Sequence, residues 1–134
     1  MPYEDAVRQQ QVYALYEWLD QRSSADSSKH VIIIAGDFNA TPESASVLLL
    51  RSRWCSAYAT VHGDEPAWTF GTPLAVRNNV IRGKPPCRGT VDYIFASPDT
   101  VVVDAQLVCD RSAPADPHLF ASDHVGVYAE FKLT

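Results

Sequence analysis

The sequence predicts an α/β fold, and three observations carry that prediction. Val12, Leu15, Tyr16 and Leu19 recur at i, i+3, i+4 and i+7 ahead of any strand-like segment, which is the spacing of one helix face. The β-branched run from Val31 to Ile34, ending two residues later on Gly36, reads as a buried strand. Three further strand-like runs, at 90–96, 101–108 and 125–133, close the chain with turn residues between them.

The elements follow from punctuation. Pro2 suits a helix start, and the apolar stripe extends the first helix over roughly residues 4–21. Residues 23–29 are a polar linker. At the end of the first strand, Gly36 permits a sharp turn or a close backbone approach. Thr41-Pro42-Glu43 opens a second helix, with Thr41 as N-cap and Pro42 at the first helical position. That helix runs through Ser46, Leu48 and Leu50 to about Arg53. Residues 54–61 read as a strand or its approach, and Trp68-Thr69-Phe70 as a short strand. Residues 71–89, with Pro73, Pro85 and Pro86, read as a long loop. A second loop, rich in Pro and Asp, covers 110–120.

Composition places the chain among soluble domains. Hydrophobic residues make up 46% and charged residues 20%, within the globular range. Its 134 residues suffice for one domain with a core. No apolar run approaches the roughly 18 residues of a membrane span, and the polar amino terminus lacks a signal-peptide core. Cys55, Cys87 and Cys109 are odd in number and widely separated, which predicts reduced thiols and a cytoplasmic or nuclear setting. The net charge of -5 is unusual for a nucleic-acid binder, which normally carries a basic footprint. Arg77, Arg82, Lys84 and Arg88 do cluster in one loop. That cluster reads equally as a surface for a phosphate backbone and as a solvated loop.

Chemistry concentrates in three motifs. In Gly36-Asp37-Phe38-Asn39, extended backbone sends positions i and i+2 the same way. Asp37 and Asn39 are therefore expected to face one pocket, with Phe38 packed behind them. A carboxylate beside an amide orients a water and hydrogen-bonds a phosphate oxygen, although an Asx-turn explains the same residues. In Val91-Asp92-Tyr93-Ile94-Phe95 a lone acid interrupts an apolar alternation, and burying it is costly without a partner. Ser122-Asp123-His124 leads directly into the final strand.

These three motifs, in this order, resemble the endonuclease/exonuclease/phosphatase superfamily, the DNase-I-like metal-dependent phosphoesterases. The resemblance implies the carboxyl-terminal half of a four-layered α/β/β/α sandwich, as one mixed, mainly antiparallel sheet with helices on one face. Residues 1–134 then form a single partial domain. The amino-terminal half, with its metal-binding glutamate and histidine-bearing strand end, is not found in the sequence. The resemblance implies hydrolysis of a phosphodiester, with Asp37 aligning or deprotonating the attacking water and Asn39 hydrogen-bonding the phosphate. His124 becomes phosphate ligand or general base, and Asp92 its carboxylate partner, fixing the tautomer. Asp123 and Asp37 become ligands of Mg²⁺ or Mn²⁺. Trp68 and Phe70 resemble aromatics that flank the substrate, with core packing as the alternative for each.

The motif set looks most like the deadenylase-type 3′-exonucleases, so RNA is the favoured nucleic acid. Sphingomyelinase- and phosphatase-type members share much of it. An isolated half is expected to be inactive alone, and a non-catalytic half-domain acting as an interaction module is the alternative. A half-domain with one uncovered apolar sheet face is expected to form a homodimer or to pair with its missing amino-terminal half.

Overall fold

The first helix builds one wall of the core, and the computed structural model, which describes residues 2–25 and 30–133, shows how. Helix α1 spans Pro2–Ala25 and overruns the expected 4–21 at both ends. The first residues of the expected linker are therefore helical, while 26–29 lie outside the described residues. Val12 and Leu19 are buried, and Leu15 and Tyr16 pack against the same cluster. The Tyr16 hydroxyl donates to the Leu49 carbonyl at 2.8 Å, which ties α1 to the second helix.

Strand β1 (Ile33–Asp37) pairs antiparallel with β3 (Asp92–Ala96), with Ile33 opposite Ala96 and Asp37 opposite Asp92. The short β2 (Cys55–Ser56) pairs antiparallel along the other side of β3, giving the order β1-β3-β2. Strands β4 (Val101–Val108) and β5 (Gly126–Lys132) form a separate antiparallel ladder with an irregularity between Val102 and Asp104. The α/β class holds, but the expected single mixed sheet is instead two antiparallel ones. The reason lies just before β5. Val125 spends its N–H on the Thr69 carbonyl, and His124 bridges to Phe70. Residues 69–72 thus stand where a continuous ladder into β5 would begin.

Pleating divides the β1–β3 surface. Ile32, Ile34, Tyr93 and Phe95 pack into the core formed with α1 and with α2 (Ala45–Arg53). Their alternating neighbours point the other way, and Ile33 is 44% exposed. Strand β4 leaves Val101 and Val103 exposed as well.

Three expectations are corrected. Helix α2 starts at Ala45, not at Thr41: the Ser44 N–H closes on the Thr41 carbonyl at 2.9 Å, so 41–44 is a turn and Ser44 is the N-cap residue. Asp5 of α1 reaches this helix start and accepts from the Ser46 hydroxyl. The expected strand at 54–61 shrinks to β2 and gives way to α3 (Ala57–His62), where the Ser56 hydroxyl accepts from the Ala59 N–H and Gly63 closes the end in the left-handed region. The expected loop at 71–89 contains α4 (Pro73–Ile81), with Thr72 as N-cap residue and Pro73 at the first turn, where proline's fixed φ suits a helix.

Candidate active site

The site starts where β1 ends. Gly36 has φ +154°, and a Cβ added there would meet nothing within 4 Å. The glycine therefore serves the backbone path and not a close approach. Phe38 leaves the strand with its N–H donating to the Val91 carbonyl at 2.8 Å. Its ring packs edge-on against Tyr93 and Phe95, with centroids 5.7 and 5.6 Å away, so Phe38 packs behind the motif as the sequence predicts. Asn39 lies in the left-handed region at φ +48°, and its N–H donates to Asp37 Oδ1 at 2.8 Å. This is an Asx-turn, and extended alternation stops at Asp37. Both residues border one cleft of about 380 Å³, together with Arg8 and Gln11 of α1. The Tyr93 hydroxyl pins the following residue by donating to the Ala40 carbonyl at 2.9 Å.

Asp92, the first residue of β3, has the partner its partial burial requires. Its Oδ2 lies 2.8 Å from His124 Nδ1, in the range of a charge-assisted hydrogen bond. Desolvation is the largest single influence on His124 and pulls its pKa down. The hydrogen bond and charge of Asp92, joined by the charges of Asp37 and Asp123, outweigh that pull and hold the imidazole above its ordinary 6.5. Asp37, Asp92 and His124 each present a ligand-type atom, and these atoms all lie within 4.8 Å of one another.

The remaining expected residues take different places. Asp123 turns its backbone carbonyl to the N–H groups of Gly71 and Thr72 at 3.0 and 3.3 Å. Its carboxylate accepts from Ser122 Oγ at 3.3 Å and is not among the three clustered ligand atoms. Phe70 lies against the site, its ring 4.9 Å from the His124 ring. Trp68 is half-buried beneath the Arg88 guanidinium, 4.8 Å from its ring. Asn39 is exposed. In the basic region Arg77 lies on α4 and Arg82 caps it, and both are exposed along with Lys84 and Arg88. Arg88 Nε donates to the Gly71 carbonyl at 2.8 Å, which ties this region to the site. His62 is accounted for elsewhere, by a 2.7 Å hydrogen bond to the Ala105 carbonyl and a stack on Tyr58.

Sequence reasoning passed over Thr69 and Thr72, both fully buried. The Thr72 hydroxyl donates to the Ser122 carbonyl at 2.8 Å, and Thr69 is bonded on several sides. The available signal was the Thr-Phe-Gly-Thr pattern, two hydroxyls bracketing a glycine just ahead of a proline. Such hydroxyls satisfy backbone groups that no ladder reaches.

The cluster suits a hard divalent cation. Mg²⁺ takes one or two carboxylates and completes its shell with water and substrate oxygens. Here Asp92 is engaged with His124, whereas the Asp37 carboxylate, among the described residues, accepts from the Asn39 backbone N–H. Of the three clustered residues, Asp37 is one whose carboxylate could hold such an ion without displacing the Asp92–His124 bond.

Two comparisons with known proteins bear on this geometry. The sequence model of the Endonuclease/Exonuclease/phosphatase family matches residues 3–124. A crystal structure of D. rerio TDP2 complexed with single-strand DNA product superposes with a TM-score of 0.62 at 21% identity, over 94% of this chain. That superposition shows the fold, and the chain spans 50% of the TDP2 chain's length. No curated protein sequence matches significantly.

Proposed function

The chain belongs to the endonuclease/exonuclease/phosphatase family, and on that premise we propose that it carries the acid–base side of a metal-dependent phosphodiesterase acting on single-stranded nucleic acid. The observation that carries the reading is the convergence of Asp37, Asp92 and His124 from three separate segments within 4.8 Å. Asp92 holds His124 Nδ1, which fixes the ring and leaves Nε2 to meet a phosphate oxygen or a proton in transfer. Asp37 is placed to orient an attacking water or to hold Mg²⁺ or Mn²⁺, with Asp123, next to His124 in the chain, as a further carboxylate for the ion. When bound, the ion neutralises charge on the transferring phosphate. Asn39, on the same cleft as Asp37, offers an amide donor to the phosphate, and Phe70 and Trp68 offer faces for a base.

The motif pattern favours RNA and a deadenylase-type 3′-exonuclease, whereas TDP2, the structural neighbour, was crystallised with a single-strand DNA product. The discriminating assay uses the chain, with an amino-terminal half of the family's domain supplied in trans, in excess over 5′-labelled RNA and DNA of one sequence, so that a single cleavage registers. RNA shortened from its 3′ end in Mg²⁺ or Mn²⁺, and not in EDTA, supports the reading. DNA cleaved preferentially would move the substrate to DNA, and cleavage insensitive to EDTA would overturn the metal dependence.

A second reading has its own observation, the exposed apolar residues Ile33, Val101 and Val103 on strands. On this reading the chain is an interaction module that assembles with a second copy or with an amino-terminal half. The two readings are compatible if full turnover needs the assembled form.

A further inference from the structure

Three segments meet at the Asp92–His124 pair: the entry to β3, the entry to β5, and residues 69–72 between them. One residue bonds to both of the others. Thr69 is 0% exposed. Its Oγ1 accepts the backbone N–H of Val91 at 3.0 Å and of Asp92 at 3.1 Å. Its carbonyl accepts the N–H of Val125 at 2.7 Å, and its own N–H donates to the Gly89 carbonyl at 3.0 Å. A single side chain thereby holds the backbone of Asp92, while the same residue's main chain holds the neighbour of His124.

We propose that Thr69 is a positioning residue that sets the Asp92–His124 separation, through a hydroxyl that accepts the Asp92 and Val91 N–H groups and a carbonyl that anchors Val125. The side-chain bonds to Val91 and Asp92 lie outside the strand pairings, and the bond from Val125 belongs to the isolated Phe70–His124 bridge just ahead of β5. Asp92 faces Asp37 in the register with β1, but that pairing fixes only one side of it. The Thr69 hydroxyl is the acceptor of the Asp92 peptide N–H, so removing it frees that N–H. The flanking contacts support the same frame: Thr72 donates to the Ser122 carbonyl, and Phe70 packs on the His124 ring.

The inference rests on reading Asp92 and His124 as the site's acid–base pair, but its test reads geometry and not turnover. The readout is the downfield resonance of the His124 Nδ1 proton bonded to Asp92, at a pH where the ring is protonated and assigned by its loss in His124→Gln. Thr69→Val keeps the shape and removes the acceptor, so the resonance is expected to disappear. The Val91 and Asp92 amide protons should then exchange about tenfold faster, the factor for one ordinary hydrogen bond, while β4 and β5 amides stay unchanged. Thr69→Ser restores the acceptor and is expected to keep both signals. If Thr69→Val does not melt cooperatively, Thr69→Ala takes its place, and Thr69→Ser must keep the resonance in every case. A folded Thr69→Val or Thr69→Ala protein that retains the resonance overturns the proposal, as does its loss in Thr69→Ser. Absence of hydrolysis with the resonance intact would count against the phosphodiesterase reading alone.

Discussion

His124 Nδ1 stands 2.8 Å from Asp92 Oδ2, joining the first residue of β3 to a histidine two residues ahead of β5. The pair links the two antiparallel sheets at the end where Asp37 emerges from β1. A lone carboxylate inside an apolar strand is costly, and here the histidine supplies the missing partner.

The pair makes stability depend on pH in a definite direction. The folded state holds the His124 proton more tightly than the unfolded chain does, because its pKa is raised above 6.5. The resulting stabilisation is fully present below about pH 6.5 and is lost as pH rises through the raised folded value. Urea melts at acidic and alkaline pH should show wild type losing more stability on the upward step than Asp92→Asn. Equal losses in both proteins would show that the pair is not coupled in solution.

Asp37 is expected to be the first point of contact for a divalent ion. Mn²⁺ added to isotopically labelled protein should broaden the resonances of Asp37, Asp92 and His124 before any others, and Asp37→Asn should shift the effect to much higher Mn²⁺. Broadening centred on another acidic group, or unaltered in the variant, would remove the ion from this site.

Gly71 is a backbone prediction. It sits at φ +118°, and an added Cβ would lie 2.3 Å from Arg88 Cγ and 2.9 Å from the Cys87 carbonyl. Gly71→Ala must move the segment that carries Phe70 and bonds to Asp123, at a cost of about 1–3 kcal/mol. Chemical denaturation measures this, and an unchanged midpoint would mean the loop yields freely.

The uncovered strand residues predict association. With Ile33 at 44%, Val101 at 49% and Val103 at 53% exposure, the purified chain should scatter light as a dimer or larger species, or bind a hydrophobic dye. A cooperatively melting monomer that ignores the dye would show that these residues need no cover.

Local signals recovered the parts of this molecule that local signals determine. The strand-like run at 101–108 is β4 residue for residue, and the stripe of Val12, Leu15, Tyr16 and Leu19 is the core face of α1. Helix α4 was hidden because Pro73, Pro85 and Pro86 read as loop punctuation, although Pro73 sits where a helix tolerates it. Helix α3 was hidden because an aromatic-containing segment reads as strand until Ser56 and Gly63 are seen to cap it. The two-sheet division was illegible for a different reason. It depends on where residues 69–72 run between β3 and β5, a long-range path with no local periodicity. Asp37, Asp92 and His124 stood out because acids and a histidine at strand ends are chemically conspicuous. Thr69 did not, since what singles it out is four hydrogen bonds to the backbones of residues distant in sequence, Gly89, Val91, Asp92 and Val125.

The most direct test of the central claim, that Asp37, Asp92 and His124 form one metal-dependent phosphodiester-cleaving site, is the single-turnover cleavage rate of a labelled single-stranded oligonucleotide. Protein is held in excess, with Mg²⁺ or Mn²⁺ and an amino-terminal half of the family's domain supplied in trans, and wild type is compared with His124→Ala and Asp37→Ala. Metal-dependent cleavage is predicted, with each substitution lowering the rate by roughly 10²–10⁴-fold, the scale of one positioned acid–base group. Cleavage that persists in EDTA, variants that cleave as fast as wild type, or no cleavage under any condition would contradict it.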